Sequence, residues 1–497
     1  MSARRPSSGA NTSRISDAPQ RFHRAQGPVA DLEGIVGRDH VLTDAVDVES
    51  FATDWTGRFR GTDVVVVRPA NPAEAIDVLA YANAVGFPVQ LQGGNTGLVG
   101  GSQPLDHALV LSTRRLSRID LSMIADGLVI AEAGVTLSAL RDAVGPYGWD
   151  PGLDMASRDS ATVGGMAATN AGGIEVLAHG MMSSRVIGLE AVAVDGSPIS
   201  RLRPILKDNA GPRLDRLLLG SEGSFGLITR VLWKLTRRCP ERLTCRVEVS
   251  NLDSAVSLVR TARNEITGLI AAEAWDAATS VASKLGTHDA AFGDRTEARG
   301  ALRQAMSDPT WTVLLEWDMG QRDETLLEPI SHWLADSAIG IDASARSRLW
   351  NAREDAPLCL ARLGTPVKAD IGFPIDRISA ALTELRGGLL RIEPDWCITV
   401  FGHLGDGNLH VNAVGPGSDD VERSGRYLGA ALATVLDLDG TVSAEHGLGR
   451  TKAGYLDLAR PDEAPWIRRL KNLFDPNGQL NGGVLGLGCH TDRTSWS

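Results

Sequence analysis

The stretch Pro88-Val89-Gln90-Leu91-Gln92-Gly93-Gly94-Asn95-Thr96-Gly97-Leu98-Val99-Gly100-Gly101-Ser102 decides the fold. Val89–Gln92 reads as a strand, and the chain runs from it directly into a loop with five glycines in nine positions. Such a loop leaves consecutive backbone N–H groups unobstructed, and Asn95, Thr96 and Ser102 add side-chain donors. Phosphate oxygens are bound by this kind of chemistry. The alternative reading of this loop, taken alone, is a glycine-rich hairpin turn. Upstream, Val64–Val67 is an apolar β-branched run followed by Pro69, Asn71 and Pro72. Asn71 can cap a helix with Pro72 at its first position, and Ala73–Val85 has helical spacing that stops at Gly86. A strand–helix–strand unit therefore delivers the glycine loop to the end of a sheet.

Two further small-residue loops follow, Thr162–Gly173 and Gly220–Gly226. Their composition means that something other than side chains lies beside the backbone. A long, flat, phosphate-bearing cofactor satisfies all three loops. No GxGxxG and no Gly-Lys dipeptide occur, so neither a Rossmann nicotinamide site nor a Walker A loop is expected.

The whole chain sets outer limits. Its 497 residues suffice for two to four domains, and 50 basic against 61 acidic residues leave a formal charge of −11. That balance argues against a nucleic-acid-binding surface. No apolar run is long enough to span a bilayer. The five cysteines are scattered and form no CxxC pair, so a disulfide framework and a thiolate zinc site are both disfavoured. Residues 1–26 hold five arginines, one acid and many serines. They read as a disordered bacterial extension of a cytoplasmic protein, or as a transit peptide directing the chain to the mitochondrial matrix.

Further strands are expected at Ala108–Ser112, Leu128–Ala133 and Val186–Val194, and the first domain closes near Arg238. The expected division is a tail (1–26), a cofactor domain (27–238) and a substrate domain (239–490). In the last, strands at Leu243–Val249, Leu269–Ala274, Trp311–Trp317, Pro366–Phe373 and Cys397–Phe401 alternate with helices, suggesting an α+β sheet with helices on one side.

The substrate domain carries Gly402-His403-Leu404-Gly405-Asp406-Gly407-Asn408-Leu409-His410 and Ser443-Ala444-Glu445-His446. Seven residues apart on a continuous strand, His403 and His410 would face opposite sides. A turn at 405–408 instead lets both rings converge, and Glu445 can supply an oxygen. Two imidazoles and a carboxylate suit Zn²⁺, and less selectively Mn²⁺ or Fe²⁺. The alternative is a hairpin with two satisfied core histidines. His446 diverges from its neighbour Glu445, so it fits a general base better than a ligand. Arg353 and Lys368 could clamp a substrate carboxylate, or pair with Glu354, Asp355 or Asp370.

Together, QGGNTGLVGG, ATNAGG, GSEGSFG, GHLGDGNLHVN and SAEHGLG resemble the FAD-linked 2-hydroxyacid dehydrogenases of the vanillyl-alcohol-oxidase type, from about Asp54 to Leu485. The D-2-hydroxyglutarate branch is the nearest in motif, and the D-lactate and glycolate branches are alternatives. The resemblance implies a two-subdomain FAD-binding domain with a C-terminal α+β substrate cap. It implies flavin contacts at Gly93, Gly94, Asn95, Thr96, Gly97, Leu98, Gly101, Ser102, Pro151, Gly165, Thr169, Asn170, Gly173, Gly223, Gly226, Ile228 and Asn481. It further implies Zn²⁺ on His403, His410 and Glu445, His446 as base, and substrate contacts at Arg353, Lys368 and Asn412. Electrons would leave to an electron-transfer flavoprotein, a quinone or cytochrome c, and a homodimer is among the expectations. A flavin-binding electron-transfer subunit without its own substrate is the non-enzymatic alternative. Gly93–Ser102 contains no His or Cys, so the FAD is expected to be non-covalent. The chain departs from the D-2-hydroxyglutarate branch at Pro357, where a hydroxyl residue is common, and at Ala369, where the family often has histidine. Proline at 357 should also end or kink the helix carrying Arg353.

Overall fold

Three valines buried on both faces start the first layer. In the computed structural model, β2 (Val65–Val67), β4 (Leu109–Ser112) and β3 (Val89–Gln92) run parallel, with β1 (Val41–Leu42) antiparallel at the edge. Helix α1 (Pro72–Val85) links β2 to β3; the Asn71 side chain accepts from Glu74 N, and Gly86 ends the helix in the left-handed region. The structure describes residues 27–55, 57–205, 207–287, 295–320, 324–334 and 337–488; the tail at 1–26 and Cys489 lie outside them.

A second sheet is antiparallel, in the order β5 (Ile119–Asp120), β6 (Leu128–Glu132), β10 (Leu227–Lys234), β8 (Val186–Val192), β9 (Pro198–Ser200). Helix α2 (Val163–Thr169), capped by Thr162, packs against it. A short ribbon of β7 (Trp149–Asp150) and β11 (Thr236–Arg237) leads out of this half.

The third sheet has seven strands in the order β15 (Ala338–Gly340), β12 (Arg242–Val249), β14 (Trp311–Asp318), β13 (Leu269–Asp276), β17 (Cys397–Gly402), β18 (Asn408–Val414), β16 (Val367–Gly372). On one face, Val367, Ala369, Ile371, Val400, Leu409, Val411 and Ala413 pack beneath α3 (Leu252–Glu265), α8 (Ile378–Ile392) and α9 (Val421–Asp437). The expectation of helices on one side needs correction. Helices α4 (Ala277–Thr287), α5 (Arg295–Ala305) and α7 (Ala356–Leu363) cover part of the other face, over Trp275, Leu314, Cys397 and Phe401. The reason is visible in β13 and the core of β14, which are buried residue after residue rather than in alternation. Between α5 and α7, α6 (Ala343–Glu354) carries Arg353 and ends before Pro357, which occupies the first turn of α7.

After Gly447 the chain returns to the first half. Leu456, Val484, Leu485 and Leu487 join the core of the second sheet, and Leu480 bridges to Val89. The substrate-domain sheet is thus finished before residue 490, and the last segment packs with the cofactor half. Helix α10 (Ala464–Phe474) anchors that return through the buried Lys471 ammonium. It donates to Ser224 O (3.0 Å), Leu480 O (2.7 Å) and Asp475 Oδ2 (2.6 Å). Lys471→Met leaves Asp475 buried without its cation. Breaking one side of a buried pair costs about 3–5 kcal/mol, so the thermal midpoint of the purified protein should fall well below that of wild type.

Candidate active site

The β17–β18 hairpin positions both histidines. Its return needs Gly407, at φ +83°, where a Cβ would sit 2.2 Å from Phe373 O. The register pairs His410 with Phe401 and with Asp370, and Asn412 with Lys368. Neighbours at odd positions of β16 and β18 build the core, so strand alternation puts Lys368, Asp370, His410 and Asn412 on the opposite face. Glu445 arrives from the turn after β18 and α9. One ligand atom from each of His403, His410 and Glu445 falls within 4.8 Å of the others.

The electrostatics favour a cation there. Burial pushes His410 down to about 3, leaving a neutral imidazole. Burial would raise the Glu445 carboxyl, but the His403 imidazole holds it down at about 2. Burial would likewise lower His403, yet the carboxylates of Glu273 and Glu445 hold it well above its ordinary value. Glu273 Oε1 is 2.5 Å from His403 Nδ1, which turns Nε2 toward Glu445 Oε1 at 3.3 Å. An Nδ1 anchored on a carboxylate, with Nε2 turned toward the other candidate ligand atoms, is the usual arrangement for a ligating histidine.

Asp370 organises the other wall. Its carboxylate accepts from Asn408 Nδ2 (2.8 Å) and from the backbone N–H of Glu445 (2.9 Å) and His446 (3.0 Å). It faces His446 Nδ1 at 3.4 Å and His410 Nδ1 at 3.7 Å. The His410 and His446 rings stack at 5.6 Å, and the His446 side chain is partly exposed.

Arg353 pairs with none of the three acids suggested by its sequence neighbourhood. Its Nε donates to Glu273 Oε2 at 2.8 Å, and its guanidinium lies 4.6 Å above the Phe401 ring. Glu273 therefore ties Arg353 to His403, and both cations hold its carboxyl at about 2 against the effect of burial. Lys368 does not pair with Asp370 either. Glu273 and the organising role of Asp370 escape the sequence reading. A usable signal for Glu273 was present, because it is the one acid within the apolar run Leu269–Trp275.

The expected flavin residues divide into two groups. Thr96 and Asn95 line a cleft of about 310 Å³ with Gly94, Ser160, Asp54 and Arg114. A Cβ on Gly97 would meet only Ser102 Oγ, at 3.9 Å, so the backbone there is open, as for Leu98 beside it. At several of the glycines the Cβ side is taken by neighbouring chain, so no larger residue fits there. A Cβ on Gly94 would strike Ser160 O at 1.9 Å, one on Gly93 Thr162 Oγ1 at 2.3 Å, and one on Gly173 Asp154 O at 2.1 Å. Ser102 Oγ donates to Asn95 Oδ1, and Thr169 Oγ1 to Gly165 O. Asn170 Oδ1 accepts from Ser183 N, and Pro151 O from Trp233 Nε1. Asn481 spans Leu91 N and Glu222 O, filling the space beside Gly223. Gly226 abuts Val192 O, Gly101 lies near Glu222, and Ile228 is a core residue of β10.

The two halves meet at the cluster of His403, His410 and Glu445. A Cβ on Gly172 would lie 3.2 Å from Glu445 Oε1, so the ATNAGG loop sits directly beside the turn that carries Glu445.

Comparison with known proteins agrees with this architecture. Residues 64–200 match the FAD binding domain model, and residues 240–485 match that of the FAD linked oxidases C-terminal domain. The mitochondrial D-2-hydroxyglutarate dehydrogenase of Bos taurus is 33% identical over 96% of this chain and 88% of its own. A D-2-hydroxyglutarate dehydrogenase from Xanthomonas citri is 30% identical over 92% of this chain and 96% of its own. In fold, a 4-ethylphenol oxidase from Gulosibacter chungangensis superposes with a TM-score of 0.71 at 17% identity, over 92% of this chain and 96% of its own. The chain belongs to the FAD-linked oxidoreductases of the vanillyl-alcohol-oxidase type, in the family that contains these D-2-hydroxyglutarate dehydrogenases. Among the described residues, no helix is long and apolar enough to cross a membrane.

Glu273→Gln keeps the shape but replaces one acceptor by an NH₂ group. Loss of such a support typically weakens metal binding about 10–100-fold. Metal content after dialysis against a competing chelator should fall accordingly.

Proposed function

We propose that the chain oxidises a D-2-hydroxyacid to the 2-oxoacid, with D-2-hydroxyglutarate as the first candidate. One observation carries the reading: His403, His410 and Glu445 converge beside the partly exposed imidazole of His446, against the glycine loop of the cofactor half. The donor set, two imidazoles and a carboxylate backed by buried acids, fits a divalent metal such as Zn²⁺. The polar cleft at Gly94–Thr96, with the Arg114 guanidinium beside the loop carbonyls, fits the diphosphate of a non-covalent FAD.

When bound, FAD supplies a two-electron acceptor for the substrate α-hydrogen, and the metal acts as a Lewis acid toward the hydroxyl and carboxylate oxygens. His446 takes the hydroxyl proton. Asp370, held ionised, occupies the Nδ1 side of that ring and leaves Nε2 for the substrate. Arg353, braced by Glu273 and Phe401, offers a fork to a carboxylate, and Asn412 adds a donor from β18. The bovine and bacterial relatives named for D-2-hydroxyglutarate support the choice of acid. The reduced protein then requires an electron acceptor: an electron-transfer flavoprotein, a quinone or cytochrome c.

Anaerobic addition of D-2-hydroxyglutarate to the holoprotein should bleach the flavin absorbance, and prior treatment with EDTA should prevent it. His446→Ala should slow bleaching by about 10²–10⁴-fold, the usual contribution of a general base. Bleaching that survives complete metal removal would refute the metal-assisted mechanism.

A further inference from the structure

Lys452 is a buried cation that the proposed chemistry leaves unused. It is 3% exposed and closes the loop that starts at Val442 and carries Glu445 and His446. Its ammonium donates to Val442 O at 2.6 Å, and its backbone N–H donates to Leu448 O at 2.9 Å. The loop is thereby tied back to its own beginning through a positive charge. An ammonium taken out of water is costly unless acceptors and negative charges replace its hydration. Burial lowers the Lys452 ammonium below the usual lysine range, and the carboxylates of Asp370 and Glu222 act in the opposite direction. Burial raises both of those carboxyls, and the Lys452 charge opposes it in each.

Those two acids are the ones that place the loop. Asp370, on β16 of the substrate half, accepts from the N–H groups of Glu445 and His446 at 2.9 and 3.0 Å. Glu222, in a loop of the cofactor half, accepts from Leu448 N and Gly449 N, both at 2.9 Å. Just beyond, Arg450 N and Thr451 N donate to Val99 O at 2.9 and 3.1 Å. One cation therefore stands behind two anions, and each anion binds two consecutive N–H groups on either side of Gly447. Asp370 also faces the imidazoles of His410 and His446, whereas for Glu222 it is Lys452 that supplies the countercharge.

We propose that Lys452 is a positioning residue for the oxidation: its charge keeps in place the two carboxylates that fix the His446 turn, and so sets the rate through His446 rather than by contact with the substrate. The inference rests on the D-2-hydroxyacid reading above.

The test compares wild type with the K452Q and K452R variants as flavin-loaded holoproteins. Glutamine keeps a donor for Val442 O without the charge, and arginine keeps the charge. Rates are measured with D-2-hydroxyglutarate and with the same acid deuterated at carbon 2. Misplacing a reacting group by a fraction of its size costs up to about 100-fold. K452Q should therefore lower kcat about 10–100-fold with KM little changed, and should raise the deuterium isotope effect as C–H cleavage becomes more nearly rate-limiting. K452R should recover most of the wild-type kcat and isotope effect. Amide hydrogen exchange at residues 445–449, which needs no turnover, should quicken in K452Q and stay near wild type in K452R. A K452Q protein with the kcat and isotope effect of wild type, whatever its thermal midpoint, would overturn the inference while leaving the proposed function intact. Equal losses of kcat in K452Q and K452R would do the same. Should K452Q fail to fold, K452R decides: wild-type kcat and exchange support the inference, and a loss of about 10-fold or more overturns it. Absence of turnover of any D-2-hydroxyacid by wild type would overturn both the inference and the proposed function.

Discussion

Asp370 lies almost wholly buried on an edge strand, accepting three hydrogen bonds and facing two imidazoles. A carboxylate stripped of water is costly unless such donors replace the lost hydration. Here the two backbone N–H groups belong to Glu445 and His446, which sit in a turn with no sheet partner of its own. The charge on Asp370 therefore places the 445–446 turn against β18, and the approach of Glu445 and His446 to His403 and His410 depends on it. Burial alone would neutralise the acid, but the imidazoles, Lys452 and the N–H donors keep it well below the usual carboxylate range.

The same turn is clamped from the other side. Glu222 accepts from Leu448 N and Gly449 N, both at 2.9 Å, although burial pushes its own carboxyl up to about 7. A Cβ on Gly447 would lie 2.5 Å from Glu222 Oε1, and one on Gly449 2.1 Å from Val99 O. These contacts register the turn after His446 to the cofactor half, while Asp370 registers Glu445 and His446 to the substrate half. Many of the small residues in the motifs serve this interlocking. Backbone meets backbone there, which only glycine allows.

Much of this was legible in the chain. Alternation and turn residues located β2, β3, β4, β16 and β17 within a residue or two, and Asn71 with Pro72 marked the start of α1. The spacing of His403, the glycine turn and His410 implied convergence, because only a reversal at Gly405–Gly407 can put both rings on one side. Less legible were α4, α5 and α7, whose short apolar faces are meaningful only once β13 and β14 are known to be buried on both sides. The partner of Arg353 was hidden for a related reason. Glu273 lies 80 residues upstream, and its place within an apolar strand signals a buried acid without naming Arg353 as its partner.

The sequence by itself determined the local chemistry: which loops could bend without side chains, which strands had a core face, and which residue types could hold a cation or move a proton. These depend on neighbours a few residues apart, where covalent geometry sets the answer. Only the tertiary structure decided which charges meet. The joining of Glu273 to His403 and Arg353, and of Asp370 to the 445–446 turn, follows from how three sheets pack. Electrostatic pairing acts through space, and its partners lie far apart along the chain.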